Sequence, residues 1–167
     1  TAKFENPNKD RLAPEFVKNI ADIVNAQAGD TLPVSVFADK ADGTIPAGTT
    51  AYEKRGVAVN VPEWQADKCI QCNTCAFVCP HAAIRPFLLT EEEAANAPEG
   101  VKLTQGKAVF KDYKYGLSVS VLDCTGCGNC ADVCPAKEKA LVMKPLGTQE
   151  AEQANFDYLH AHVGYKD

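Results

Sequence analysis

An α+β fold made of two related halves, with short antiparallel strands and helices, is predicted by three features of this 167-residue chain. The first is a cysteine spacing that occurs twice and accounts for all eight cysteines. The second is a set of short apolar segments before and after the cysteine runs, alternating in the two that precede them, which is typical of strands. The third is a few helical patterns outside the runs. Together they predict a pseudo-twofold domain with an insertion and a partly extended N-terminal segment.

The repeated spacing is Cys-x2-Cys-x2-Cys-x3-Cys-Pro, the pattern by which bacterial two-cluster ferredoxins hold [4Fe–4S] clusters. Three cysteines two residues apart can wrap a tight loop around a cubane and direct backbone N–H groups at its sulfurs. The sequence therefore predicts a two-cluster bacterial ferredoxin-like domain. The two runs are formed by Cys69, Cys72, Cys75 and Cys79, and by Cys124, Cys127, Cys130 and Cys134.

The fourth cysteine of each run is expected to ligate the cluster of the other run, as it does in two-cluster ferredoxins. This crossed ligation, in which each run supplies one ligand to the other cluster, joins the halves into one pseudo-symmetric unit. It also holds the clusters close enough for fast electron exchange. No catalytic residue is predicted, because the chain contains no nucleophile–base set, phosphate loop or dinucleotide fingerprint. The predicted ligands are Cys69, Cys72, Cys75 and Cys134 for the first cluster, and Cys124, Cys127, Cys130 and Cys79 for the second.

Zinc and disulfides are the alternative uses of eight cysteines. Two zinc ions would also take eight thiolates, but zinc ribbons usually pair two Cys-x2-Cys units across a long gap. Three cysteines at this spacing, with a fourth before proline, favour iron–sulfur clusters instead. Disulfides would require an exported chain, and this density of Cys-x2-Cys units is typical of metal binding.

The composition argues against nucleic acid and membranes as partners. The net charge is −5 and no basic stripe is visible. No apolar run approaches the length needed to span a membrane. The chain starts at Thr1 and its only methionine is Met143, so we expect it to be part of a longer protein. Oxygen-labile clusters and reduced thiolates favour the cytoplasm of an anaerobe or facultative organism.

Residues 1–60 are predicted to form a helix and an extended linker that lead in from a preceding domain. Pro14 suits a first helical turn, apolar residues recur with helical spacing through residues 16–24, and Gly29 is a natural stop. Residues 32–37 are typical of a short extended segment. Residues 41–56 are rich in Gly, Thr, Pro and Ala, as in a linker.

The two-cluster domain is predicted at residues 61–147, with an insertion at residues 86–121. Alternating valines at residues 57–61 indicate a strand, and Trp64 is expected to pack near the first cysteine loop. Thr90 and Glu93 have the pattern of a capping box at a helix start. Further strands are predicted at residues 117–121 and 140–143. Residues 148–167 are predicted to form a helix, capped by Thr148, that leads to the next domain.

The residues that flank the cysteines resemble the pyruvate:ferredoxin (flavodoxin) oxidoreductase family. The resemblance is carried by Pro62-Glu63-Trp64, by residues 69–86 and by residues 122–137. Upstream, residues 32–35 and 48–56 are similar to that family's lead-in to its ferredoxin-like domain. The resemblance covers nearly the whole chain. Its specificity comes from the flanking residues, because many electron carriers share the cysteine runs.

This resemblance implies an electron relay rather than catalysis in this segment. In the family, thiamine diphosphate decarboxylates pyruvate, coenzyme A takes the acetyl group, and electrons leave through [4Fe–4S] clusters to an external ferredoxin or flavodoxin. The resemblance implies that this segment holds the two clusters furthest from thiamine. Thiamine diphosphate, Mg²⁺, coenzyme A and a third [4Fe–4S] cluster are then expected elsewhere in the full enzyme, which is expected to be a homo-oligomer.

A free two-cluster ferredoxin with extensions, or a small iron–sulfur subunit, is the alternative function. Such a carrier would be stable alone and have natural termini, whereas residues 1–60 of a relay domain would need neighbours to fold. The loose stretch at residues 41–56 and the flanking resemblance favour the relay domain.

Overall fold

The computed structural model describes residues 12–166 and forms two compact units that divide between Lys54 and Arg55. The described part of the first unit is helical. Its main helix has a π-helical turn at Val17–Ala21 followed by α1, Asp22–Asn25. The predicted stop at Gly29 is wrong, because Gln27 already takes a left-handed φ of 59°. Gly29 instead opens a 3₁₀ turn, Gly29–Thr31.

The extended segment predicted at residues 32–37 is also wrong. Val34–Lys40 forms a 3₁₀ helix, in which Val36 N donates to the carbonyl of Pro33 at 3.1 Å. The described part of this unit contains no strand that could pair with an extended segment, so local hydrogen bonds form instead. A further 3₁₀ turn at Thr49–Tyr52 lies in the Gly- and Thr-rich stretch.

The second unit contains two small antiparallel sheets. Strands β1, Asn60–Trp64, and β5, Leu141–Pro145, form the first sheet with Trp64 opposite Leu141. The predicted strand at residues 57–61 is displaced towards the C-terminus, because Val57 and Val59 are 65% and 82% exposed whereas Val61 is fully buried. The predicted strand at residues 140–143 is confirmed by β5.

The second sheet has the order β2-β4-β3. Ile84 opens β2 and pairs with Val119 near the end of β4, so this sheet joins the region after the first cysteine run to the region before the second. The predicted strand at residues 117–121 is confirmed in part, since β4 begins earlier and ends at Val119. The strands are β2, Ile84–Leu89; β3, Thr104–Gln105; and β4, Lys114–Val119.

Short helices follow the cysteine loops and a longer helix closes the chain. The helices are α2, Thr74–Phe77; α3, Glu91–Ala95; α4, Asn129–Asp132; and α5, Glu152–His162. The capping box of α3 is confirmed, because Glu93 N donates to Thr90 Oγ1 and Thr90 N donates to Glu93 Oε2. The predicted Thr148 cap is wrong, since Thr148 bonds the carbonyl of Pro145 and ends a separate 3₁₀ turn. No helix within residues 12–166 is long and apolar enough to cross a membrane.

The apolar core of the second unit lies directly beside the cysteines. Val61 and Val121 are fully buried there, and Cys130 belongs to the same core while other cysteines pack against it. Trp64 is 5% exposed and makes an edge-on contact with Tyr115, with 6.0 Å between ring centroids. The predicted packing role of Trp64 is therefore confirmed, and the core supplies the water-poor surroundings of the cysteine loops.

Candidate metal centre

All eight cysteines are free thiols, and they line two small cavities in the second unit. Each cavity takes three cysteines from one run and the fourth cysteine from the other run. These are the two sets expected from the spacing, and their role as cluster ligands stays a prediction. The first cavity is lined by Cys69, Cys72, Cys75 and Cys134, and the second by Cys79, Cys124, Cys127 and Cys130.

Left-handed residues give the two cysteine loops their tight curvature. Gln71 and Asn73 have φ values of 61° and 59° in the first loop, and Gly126 and Gly128 have 71° and 80° at the matching places of the second. A side chain in this region is strained by about 1–2 kcal/mol, which glycine avoids. Gly126 also has a steric reason, since a Cβ there would lie 2.8 Å from the carbonyl oxygen of Asn60.

Hydrogen-bond donors are directed at several cysteine sulfurs. Gln71 N donates to Cys69 Sγ at 3.4 Å, and Gly126 N makes the matching bond to Cys124 Sγ at 3.3 Å. A donor to Cys134 Sγ comes from the backbone N–H of Ala140 at 3.4 Å. Such donors stabilise negative charge on thiolate sulfur, which is what an iron–sulfur cluster requires of its surroundings.

The buried thiols have raised pKa values, because desolvation disfavours the thiolate. Burial, together with the neighbouring thiols, raises the pKa of Cys75 to about 11, and burial raises the pKa of Cys130 to about 12. Burial also raises the pKa of Cys124. In contrast, a hydrogen bond from the Thr74 hydroxyl lowers the pKa of Cys72. Metal binding at these sites must therefore release protons from the buried thiols.

Four cysteines line each cavity, which is the number of ligands that one cubane cluster takes. In the described part of the chain, no group of three or more His, Cys, Asp or Glu side chains could hold one metal ion. A tetrahedral zinc site needs four ligands converging on one ion, with sulfurs about 2.3 Å from it. A cubane instead presents four separate irons, each of which takes one thiolate.

The insertion braces the first loop, which sequence reasoning missed. Gln71 Nε2 donates to the carbonyl of Gln105 at 2.8 Å and to Thr104 Oγ1 at 3.2 Å. Gln71 Oε1 accepts from Lys107 N at 2.9 Å, and Lys107 Nζ donates to the carbonyl of Cys69 at 2.9 Å. The one sequence feature that could have indicated this brace is that Gln71 occupies the position where the second run has glycine. These bonds compensate for the left-handed strain of Gln71.

Tyr115 is a second residue that sequence reasoning missed. It lies on β4, lines the first cavity and donates from its hydroxyl to Asn73 Oδ1 at 2.6 Å. Burial, with the nearby thiols, raises the pKa of Tyr115 well above its ordinary value, so the phenol stays protonated and remains a donor. Tyr115 thereby holds the left-handed Asn73 and connects Trp64 to the first loop.

Replacing Gln71 by Ala is expected to loosen the first loop while leaving the second intact. The change removes the side-chain bonds to the insertion, each worth about 0.5–1.5 kcal/mol, and keeps a strained left-handed backbone. When a chelator is added, the absorbance of the clusters should be lost in two phases, and the faster phase should report the cluster at the first loop. Asn129→Ala, at an exposed position of the second run, is the control. Equal rates in both variants would mean that the brace does not hold the loop.

Comparison with known proteins identifies the cysteine-containing segment. A family model described as a 4Fe-4S double cluster binding domain matches residues 68–137, and one described as a domain of unknown function matches residues 3–58. A pyruvate-flavodoxin oxidoreductase of Enterobacter agglomerans is 59% identical over 156 residues, which are 93% of this chain and 13% of that protein. A pyruvate:ferredoxin oxidoreductase of Moorella thermoacetica is 54% identical over 149 residues, 87% of this chain and 12% of that protein.

A third relative is similar in sequence identity and in the share of each protein that the match covers. The pyruvate-flavodoxin oxidoreductase of Klebsiella pneumoniae is 52% identical over 147 residues, 88% of this chain and 12% of that protein. The chain thus spans 12–13% of the length of these relatives. Identity above one half over nearly the whole chain confirms the resemblance seen in the flanking residues. The chain belongs to the family of pyruvate-flavodoxin and pyruvate:ferredoxin oxidoreductases, and it corresponds to a short segment of those enzymes that carries their 4Fe–4S double-cluster domain.

Proposed function

We propose that this segment relays electrons through two [4Fe–4S] clusters within a larger pyruvate oxidoreductase. The observation that carries the proposal is the pair of cavities, each lined by four cysteines drawn from both runs. The relatives' names associate them with pyruvate and with flavodoxin or ferredoxin. In the proposed reaction, pyruvate and coenzyme A give acetyl-CoA and CO₂, and the electrons pass to an external ferredoxin or flavodoxin.

The proposed ligands are the crossed sets, which make the domain pseudo-twofold. Three matching pairs of features support this symmetry. Left-handed residues occupy the same places in both loops, the short helices α2 and α4 follow them, and the second cysteine of each run is exposed. Helices α2 and α4 also contact each other, so the third cysteines of the two runs lie close together.

Each side chain has a defined task in this proposal. When bound, a [4Fe–4S] cluster supplies one-electron redox chemistry at its site. The cysteines hold it, and the core around Val61 and Val121 excludes water. Backbone N–H groups of Gln71 and Gly126 stabilise the thiolate charge. Besides burial, the neighbouring Cys75 thiol raises the pKa of Cys130, so these two cysteines of different sets lie near each other and bring the two proposed sites within short range for electron exchange.

The rest of the proposed enzyme lies outside this segment. Thiamine diphosphate, Mg²⁺, coenzyme A and a third [4Fe–4S] cluster would bind elsewhere in the full protein, which we propose to be a cytoplasmic homo-oligomer. We propose residues 1–60 as the lead-in, residues 61–147 as the two-cluster domain and residues 148–167 as the connection to the next domain. The length of the relatives favours this relay over a free ferredoxin.

Replacing Cys72 by Ala in the full-length enzyme tests the proposed relay. The variant is expected to lose one cluster and the reduction of external ferredoxin or flavodoxin. The exchange of pyruvate carboxyl with CO₂ should persist, because the thiamine site lies elsewhere. Thr125→Ser, at an exposed position beside Cys124, is the control and should keep both activities. Retention of both clusters and of acceptor reduction in the Cys72 variant would contradict the ligand assignment and the relay.

A further inference from the structure

The Thr74 hydroxyl makes a hydrogen bond to one cysteine sulfur of the first set. Thr74 Oγ1 donates to Cys72 Sγ at 3.4 Å. The geometry follows from the left-handed Asn73, which turns the chain so that the first residue of α2 faces back towards the cysteine two positions earlier. The bond is independent of the backbone bond from Gln71 to Cys69, so the first set has a side-chain donor in addition to its backbone donors.

The second set has no matching side-chain donor among the residues that the structure describes. Asn129 occupies the equivalent position, two residues after Cys127, and no bond from its amide to a cysteine sulfur is formed. The backbone bond from Gly126 to Cys124 does match that of the first loop. The two sites therefore agree in this backbone donor and differ in the hydroxyl.

Two lysine ammonium groups also lie beside the first set. Lys107 Nζ donates to the carbonyl of Cys69 at 2.9 Å, and Lys139 Nζ donates to the carbonyl of Cys134 at 2.9 Å. Both of these cysteines line the first cavity. The Thr74 hydroxyl and the two lysine ammonium groups thus all stabilise negative charge at the first set.

We infer that the first site binds the more easily reduced cluster of the pair, and that Thr74 is a positioning residue that raises its potential. The inference rests on the proposed function. Reduction adds negative charge to the cluster and its thiolates, and donors or cations beside them stabilise the reduced form. Electrons that reach this segment therefore preferentially reduce the cluster at the site formed by Cys69, Cys72, Cys75 and Cys134.

Thr74→Val in the full-length enzyme tests this inference, because valine keeps the shape of threonine and lacks its hydroxyl. Redox titration monitored by electron paramagnetic resonance should show that the higher of the two potentials of this segment falls. The lower potential should stay unchanged. Thr74→Ser should restore the higher potential, since serine retains the donor. Asn129→Ala, the matched control in the second run, should leave both potentials unchanged.

Three outcomes would overturn the inference. They are unchanged potentials in Thr74→Val, a fall in the lower potential instead of the higher, and equal falls in both. If the valine variant loses a cluster, Thr74→Ala provides the same titration with a smaller side chain and the same expected fall. Failure of the proposed function is distinguishable, because the unsubstituted enzyme would then lack the two cluster signals altogether.

Discussion

Replacing both Cys72 and Cys134 by Ala is expected to remove one [4Fe–4S] cluster and leave the other intact. The two cysteines belong to different runs, yet they line the same cavity. Loss of either ligand already disables that site, so the second substitution adds no further loss. We expect the double variant to lack about four iron atoms per chain, the content of one cubane. Iron and acid-labile sulfide analysis of the full-length enzyme provides the measurement.

The pair Cys72 and Cys79 is the matched control for this double variant. Both cysteines belong to the first run, but they line different cavities. Their joint replacement by Ala is expected to remove both clusters, about eight iron atoms per chain. Uncrossed ligation predicts the reverse pattern, with the Cys72/Cys134 variant losing both clusters and the Cys72/Cys79 variant losing one. The two double variants therefore separate the alternatives by iron content alone.

Gly106→Ala is expected to disrupt the part of the insertion that braces the first loop. A Cβ at this buried glycine would overlap the carbonyl oxygen of Phe110 and lie 2.9 Å from that of Tyr113. Both atoms are backbone, and Gly106 N donates to the Tyr113 carbonyl, so the methyl group cannot be relieved by a side-chain rotation. We expect a destabilisation of about 1–3 kcal/mol or more.

The consequence for the cysteine site follows from the neighbouring residue. Lys107 bonds both Gln71 and the carbonyl of Cys69, so displacement of this segment should make the first cluster labile. Thermal unfolding and the rate of cluster loss in the full-length enzyme provide the measurement. Gly147→Ala is the control, because no atom lies within 4 Å of a Cβ there. If the two variants were equally stable, the insertion would not depend on close packing at Gly106.

Features with local causes could be predicted from the sequence. The capping box of α3 depends on two side chains three residues apart, and the structure contains both of its hydrogen bonds. Alternation predicts the strand at residues 117–121 and a short apolar run predicts the one at residues 140–143, and β4 and β5 lie there with shifted ends. The cysteine sets were predicted from a spacing whose use in two-cluster ferredoxins is known.

Features that depend on distant partners could not be predicted. Residues 32–37 have the composition of a strand, but a strand needs a neighbour, and none forms in the described part of that unit. Gln71 has no local feature that indicates its bonds to Gln105 and Lys107, because these require the folded insertion. Tyr115 reaches Asn73 only because β4 passes beneath the first loop. Long-range contacts of this kind have no periodic signature in the sequence.

The most direct test of the relay is rapid freeze-quench electron paramagnetic resonance of the full-length enzyme during turnover. The enzyme would be mixed with pyruvate and coenzyme A, and then with ferredoxin or flavodoxin. We predict that both clusters of this segment become reduced at least as fast as the enzyme turns over, and that the acceptor reoxidises them. Clusters that stayed oxidised during turnover, or that were reduced more slowly than product forms, would contradict the relay.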